Sequence, residues 1–331
     1  MNNDIFVIGG SGFIGTALCS SFRLNSIHFT IVDKVRSNFF PENTRFGDVC
    51  SEDDLRSLIS ANSVIINLAA EHRDDVCPVS LYEQVNVNGA SNICQIARNK
   101  SINKIIFTSS VAVYGFASPG TSESGAINPF NDYGRTKWEA ELVYKKWQAE
   151  DPKNRTLVII RPTVVFGERN RGNVFNLLKQ IASGKFVMVG DGLNRKSIAY
   201  VENVAAFLEY SLDFKPGLHI YNYIDKPDFT MNSLVGHINK LLGKPSEIKF
   251  RLPFSIGILI GSGFDHIAKI TGKKFPISVI RVQKFCANSV YKSAAELTGF
   301  IPPVTLMDAI EKTVRFEFLE DHSSEQVFYS E

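Results

Sequence analysis

The first two dozen residues constrain this chain more than any other segment. Asp4-Ile5-Phe6-Val7-Ile8 is a short apolar run that reads as a buried strand, and it enters Gly9-Gly10-Ser11-Gly12-Phe13-Ile14-Gly15. An amphipathic segment, Phe13–Leu24, follows and predicts a helix. Glycine spacing alone is weak evidence, because glycine-rich turns also occur without a ligand. Placed between a strand and a helix, the spacing becomes a signal for a bound dinucleotide. Gly9 allows the tight turn, Gly12 lets backbone approach a pyrophosphate, and Gly15 lets the helix pack on the strand. The free amides and dipole of the helix start would hold the phosphates. Gly9, Gly12, Phe13, Ile14 and Gly15 are therefore expected to bind the cofactor.

Asp33 stands 18 residues beyond Gly15, at the end of a second apolar run, Phe29–Val32. A carboxylate there accepts the ribose hydroxyls of NAD and repels the 2′-phosphate of NADP. Lys34 and Arg36 follow and are the residues that could instead take that phosphate. Asp48, in Phe46-Gly47-Asp48-Val49, reads equally as a cofactor contact or a turn cap.

Further apolar runs at Val64–Leu68, Lys104–Thr108 and Leu157–Ile160 alternate with amphipathic segments at Ser51–Ile59, Leu81–Ala97 and Tyr133–Gln148. Continuous apolar strands separated by helices predict an α/β fold with a doubly wound (Rossmann) parallel sheet, covered on both faces. The pattern loosens after Phe166. Residues 1–166 are thus expected to form the dinucleotide-binding domain, with returning segments near 197–225. A smaller C-terminal substrate-binding lobe is expected over 167–318, with helices at Val174–Ser183 and Met231–Leu242, a strand at His219–Tyr223, and irregular cover from Arg251 to Arg281. The polar tail, 319–331, is expected to be disordered.

Composition narrows the function. Of 331 residues, 44% are hydrophobic and 21% charged, and the net charge is +2, with no long basic run. Nothing here points to nucleic acid or to an acidic surface. Five widely spaced cysteines suggest neither a disulfide framework nor a metal site, and they fit a reducing, cytoplasmic setting. The longest apolar stretch, Phe254 to Phe264, is too short to span a bilayer and reads as a buried or substrate-covering segment. With no basic run ahead of the first strand, a secretory leader is not expected.

Tyr133-Gly134-Arg135-Thr136-Lys137 sets a tyrosine and a lysine four apart, on one face if helical. Such pairs are common on surfaces. Behind a dinucleotide loop, however, the ammonium can stabilise a phenolate and make Tyr133 a useful base. Lys104–Thr108 runs into Ser109-Ser110-Val111-Ala112-Val113-Tyr114-Gly115, at the carboxyl end of a parallel strand, where such sheets bind ligands. A hydroxyl there can hold the substrate oxygen; its structural alternative is a loop cap.

Together these residues resemble the extended short-chain dehydrogenase/reductase family, in particular its NAD-dependent nucleotide-sugar epimerases, dehydratases and reductases. Asn67-Leu68-Ala69-Ala70, Asn86-Val87-Asn88-Gly89, Arg161-Pro162-Thr163-Val164-Val165-Phe166-Gly167 and Gly190–Ala205 carry the likeness further. The resemblance implies Tyr133 as base, Lys137 as its electrostatic partner and a ribose ligand, and Ser110 as the substrate-binding hydroxyl. It also implies that Asp33, Asp48, Val49, Leu68, Ala69 and Asn86 line the cofactor. Family dehydratases carry Asp-Glu after the active-site hydroxyl, where this chain has Val111 and Ala112, so dehydration is not expected. Many epimerases place Arg-Asp where this chain has Lys196-Ser197, which leaves Lys196 or Arg195 to meet a substrate phosphate. The expected activity is C4 epimerisation of a UDP-type sugar through transient hydride transfer to NAD. A 4-keto-sugar reductase of polysaccharide precursor synthesis and a steroid-type hydroxyl dehydrogenase are the alternatives. The resemblance further implies a homodimer through helices 81–97 and 133–148, although Val85, Ile93, Ile96 and Leu142 could equally face the protein's own sheet.

Overall fold

The computed structural model describes residues 4–73, 76–248, 250–272, 278–322 and 324–329. β1 (Ile5–Ile8) is buried at every position and passes through the glycine loop into α1 (Phe13–Leu24). β2 (Phe29–Asp33), β3 (Thr44–Phe46), α2 (Glu52–Leu58) and β4 (Val64–Asn67) follow. α3 (Ser80–Tyr82) runs through one π-helical stretch, Glu83–Asn88, into α4 (Gly89–Asn99). β5 (Lys104–Thr108), α5 (Asp132–Ala149) and β6 (Thr156–Pro162) complete the alternation. Beyond them lie β7 (Val164–Phe166), α6 (Asn173–Ala182), β8 (Met188–Val189), β9 (Arg195–Lys196), β10 (Ile198–Tyr200) and α7 (Val201–Tyr210). Then come β11 (Gly217–Tyr223), β12 (Phe229–Thr230), α8 (Met231–Leu241), β13 (Arg251–Leu252), α9 (Phe254–Thr271), α10 (Val279–Cys286) and α11 (Leu306–Phe318).

Seven strands form one parallel sheet in the order β11-β6-β5-β4-β1-β2-β3. The doubly wound fold read from the apolar runs is thus the observed one. Each face of the sheet carries its own core. Ile8, Val32, Ile65, Ile105 and Phe107 meet Ile93, Ile96, Tyr144 and Trp147 on one side. Val7, Ile31, Ile66, Ile106 and Val158 meet Leu18, Phe22, Val204 and Phe207 on the other. A third cluster joins α6, α8 and α11 through Leu178, Leu234, Ile238, Ile310 and Val314. The chain crosses the sheet in opposite directions on the two sides of β1, so a crevice opens at the carboxyl ends of β1 and β4.

Two expectations are corrected. The stretch from Arg251 to Arg281 contains an 18-residue helix, α9, rather than irregular cover. Pro253 stands at its N-cap, where a missing amide costs nothing, instead of interrupting it. The tail is also placed rather than loose over its described residues. Phe328 donates its amide to the Arg169 carbonyl (2.8 Å) and accepts from the Arg171 amide (2.7 Å). Its ring lies 5.8 Å from Phe13 and 6.2 Å from Phe39, while Arg169 pairs with Glu325.

Candidate active site

The crevice widens into a cleft of about 2330 Å³. Its floor is the glycine loop. Gly9 has φ +77°, and a Cβ there would stand 2.6 Å from the Ala69 amide nitrogen; at Gly15 it would stand 2.5 Å from the Gly10 Cα. Gly12 meets only its own turn, at 3.4 Å from the Gly9 oxygen, so the space above it is open. No side chain caps α1 at Gly12, which leaves its first amides to serve a ligand. Asp33 accepts the Ser11 amide at 3.0 Å and the Val35 amide at 3.1 Å, tying the end of β2 to the loop. Asp48 lines the cleft and caps its own turn by accepting the Cys50 amide (2.9 Å). Phe13, Ile14, Val49, Leu68 and Ala69 also line the cleft. Open space over the glycines, uncapped amides, an acid at the ribose position and apolar walls fit NAD.

Asn86 sits further back than the other expected cofactor residues. It is buried and does not line the cleft. Its side chain accepts the Glu71 amide (2.9 Å) and donates to the Glu71 carbonyl (3.0 Å) and to Thr136 Oγ1 (2.9 Å). It therefore clamps the loop after β4 to α5, one layer behind the cofactor wall.

The side chains expected to carry the chemistry come from two neighbouring elements. Asn131 Oδ1 accepts the Gly134 amide (2.9 Å) and starts α5, so that Tyr133 and Lys137 fall one turn apart on the cleft side. Ser110 caps the short turn after β5 by accepting the Ala112 amide at 3.1 Å. Gly134 lets α5 approach that turn closely, since a Cβ there would stand 2.5 Å from the Ala112 oxygen. The approach sets the Ser110 hydroxyl beside the Tyr133 phenol. Burial pushes the Tyr133 phenol above its ordinary range, and the Ser110 contact opposes that shift. Lys137 is 2% exposed, with its ammonium 4.4 Å from the centre of the Phe107 ring. Burial pulls its pKa down to about 7, against a smaller upward pull from Glu141.

Behind this group lies a polar network that sequence spacing did not reveal. Glu141, fully buried, accepts Arg161 Nε (2.7 Å) and Nη2 (2.6 Å) and the Ser109 hydroxyl (2.7 Å). Arg161 also donates to Tyr114 Oη (2.6 Å), which donates to Asn222 (2.8 Å). Glu141 stands four residues beyond Lys137 on α5, and that continuation of the Tyr133–Lys137 register was the available signal. His72, Phe116, Phe130 and Arg281 line the cleft and were likewise not singled out. Lys196 lines it too, but its Nζ donates to the Lys284 (2.6 Å) and Ala287 (2.7 Å) carbonyls. Burial lowers its pKa to about 8.

Residues 5–223 match the model of the family described as "NAD dependent epimerase/dehydratase family". The chain is 45% identical, over all of both chains, to N-acetyl-alpha-D-glucosaminyl-diphospho-ditrans,octacis-undecaprenol 4-epimerase of Escherichia coli O157:H7. It is 28% identical to sterol-4-alpha-carboxylate 3-dehydrogenase, decarboxylating, of Bos taurus, with 93% of this chain and 91% of the relative covered. In structure it resembles UDP-glucuronic acid 4-epimerase from Bacillus cereus in complex with NAD, with a TM-score of 0.71 and 19% identity over 95% of this chain and 98% of the other.

Proposed function

The chain belongs to the NAD-dependent epimerase/dehydratase family, and on that premise we propose that it inverts C4 of a sugar carried on a diphosphate, an N-acetylhexosamine foremost. Support comes first from the meeting of Ser110, Tyr133 and Lys137 beside the dinucleotide loop. The second support is the full-length likeness to a 4-epimerase whose named substrate is an N-acetylglucosaminyl diphosphate. That substrate shares its diphospho-sugar with the UDP-type sugars expected from sequence and differs in the carrier.

The chemistry follows from the placed groups. NAD bound in the crevice would accept the C4 hydride and return it to the opposite face of the ring. Tyr133 takes the proton of the C4 hydroxyl as that bond to hydrogen breaks, and gives it back when the keto sugar is reduced. Ser110 donates a hydrogen bond to the same oxygen and holds it over the phenol. Lys137 supplies the positive charge that makes a phenolate accessible in a buried site. Val111 and Ala112 line the cleft where a dehydratase would need its acids, so no group there protonates a leaving hydroxyl.

Incubating the protein with N-acetylglucosaminyl diphosphates on nucleotide and polyprenyl carriers, without added cofactor, tests the reading. A mixture of gluco and galacto products is expected. Stoichiometric accumulation of NADH, or a requirement for it, would mark a dehydrogenase or reductase instead. The proposal keeps the homodimer through α4 and α5, where Leu142 is the large apolar side chain left exposed. Val85, Ile93 and Ile96 are buried in the protein's own core.

A further inference from the structure

Helix α9 wears its apolar face outward. Leu259 and Ile270 are 72% and 77% exposed, and Ile256, Ile260 and Ile267 between 40% and 47%. At 3.6 residues per turn these five fall within one arc of about 100°. The opposite face is the one that packs. Gly257 and Gly261 are buried, and a Cβ at Gly261 would stand 2.8 Å from the Val279 amide nitrogen of α10. Asp265 accepts that same amide at 3.1 Å, which fixes the rotation of the helix. Scattered apolar residues on a surface need no explanation, but a continuous stripe does. Ile280 of α10 is 51% exposed, and both it and Ile260 also line the cleft, so the stripe starts at the mouth of the active site.

Charge identifies what the stripe meets. Residues 247–284 contain seven lysines and arginines against two carboxylates, while the whole chain has a net charge of only +2. An apolar arc flanked in sequence by cations suits an anionic bilayer surface, where apolar side chains enter the headgroup region and basic segments are drawn to the lipid phosphates. A second copy of this chain would set the same cations against themselves, which disfavours self-pairing on this face. Among the described residues no helix is long and apolar enough to cross a membrane, so α9 lies on the surface.

We infer that α9 and α10 seat the protein on an anionic lipid bilayer with the cleft mouth at the interface. A sugar on a membrane-held diphosphate then enters head first while its lipid chain stays in the bilayer. The account of the sugar rests on the epimerase reading; the seating itself does not. The test is flotation of the full chain with phosphatidylcholine vesicles, with and without phosphatidylglycerol, beside the variant Leu259→Gln/Ile267→Gln/Ile270→Gln. None of these three residues lines the cleft. The parent should float with the phosphatidylglycerol vesicles and the variant at least tenfold less. Both should turn over UDP-N-acetylglucosamine at equal rates. A parent that stays in solution, or a variant that floats as well as the parent, overturns the seating. So does a parent that only self-associates through this face, with the variant monomeric in light scattering. Flotation without turnover of any diphospho-sugar removes the epimerase reading and leaves the seating intact; turnover without flotation does the reverse.

Discussion

Replacing Lys137 with Met separates what this residue does for the chemistry from what it does to the fold. Burial takes its ammonium from 10.5 to about 7, at 2% exposure. In the unfolded chain it stays protonated until roughly pH 10.4. Between those values the unfolded state binds more protons, so stability rises with pH through this window, and the full penalty lies below it. At pH 7 the penalty is of the order of 4 kcal/mol, from 1.36 kcal/mol per pKa unit less the half-titration of the folded form. Methionine keeps most of the stem and brings no charge. It forfeits the desolvated contact with the Phe107 ring, worth about 2 kcal/mol. Without cofactor, Lys137→Met should therefore unfold at higher urea than the parent at pH 7, by up to about 2 kcal/mol. The gap should be widest at pH 6 and close toward pH 10. Taking the difference between the two proteins at each pH cancels the other titrating groups. Activity should fall steeply in the same variant. A variant less stable than the parent at pH 7, or a gap indifferent to pH, would refute the reasoning that Lys137 is held in its site at a cost.

Tyr133→Phe should cost about 10²–10⁴-fold in rate while leaving NAD bound; steady-state turnover within a few-fold of the parent would mean another group is the base. Asp33→Asn should shift the ratio of NAD to NADP dissociation constants toward NADP by about tenfold, read by fluorescence titration, because a fixed negative charge no longer faces the 2′-phosphate. Glu141→Gln should lose roughly 3–5 kcal/mol in chemical denaturation, since it leaves the Arg161 guanidinium buried without its carboxylate. Light scattering at micromolar concentration should give twice the monomer mass if α4 and α5 form the proposed dimer.

The parts legible in sequence were those written within one element or across one turn. The glycine loop, Asp33 and the Tyr133–Lys137 pair each declare themselves by short spacing, and the sheet that holds them follows from continuous apolar runs. The hydrogen bonds of Asn86 were not legible, because its partners, Glu71 and Thr136, are set by how α5 meets the loop after β4. The Glu141–Arg161 pair joins residues 20 apart on a helix and a strand, a distance over which no local pattern speaks. Helix α9 was hidden by its own inversion. Its glycines serve contact with α10 and its apolar residues face out, so the usual link between an apolar run and burial misleads there.

The docking of Phe328 against Phe13 joins the dinucleotide loop to a segment far along the sequence. During synthesis the strand and loop over residues 5–15 emerge before Phe328, so this side of the cofactor cleft gains its aromatic backing only once Phe328 has emerged. Contacts of such long sequence separation form late, after the loop-closure entropy between them has been met. A nascent chain that stops short of Phe328 should thus hold NAD less firmly than one that includes it.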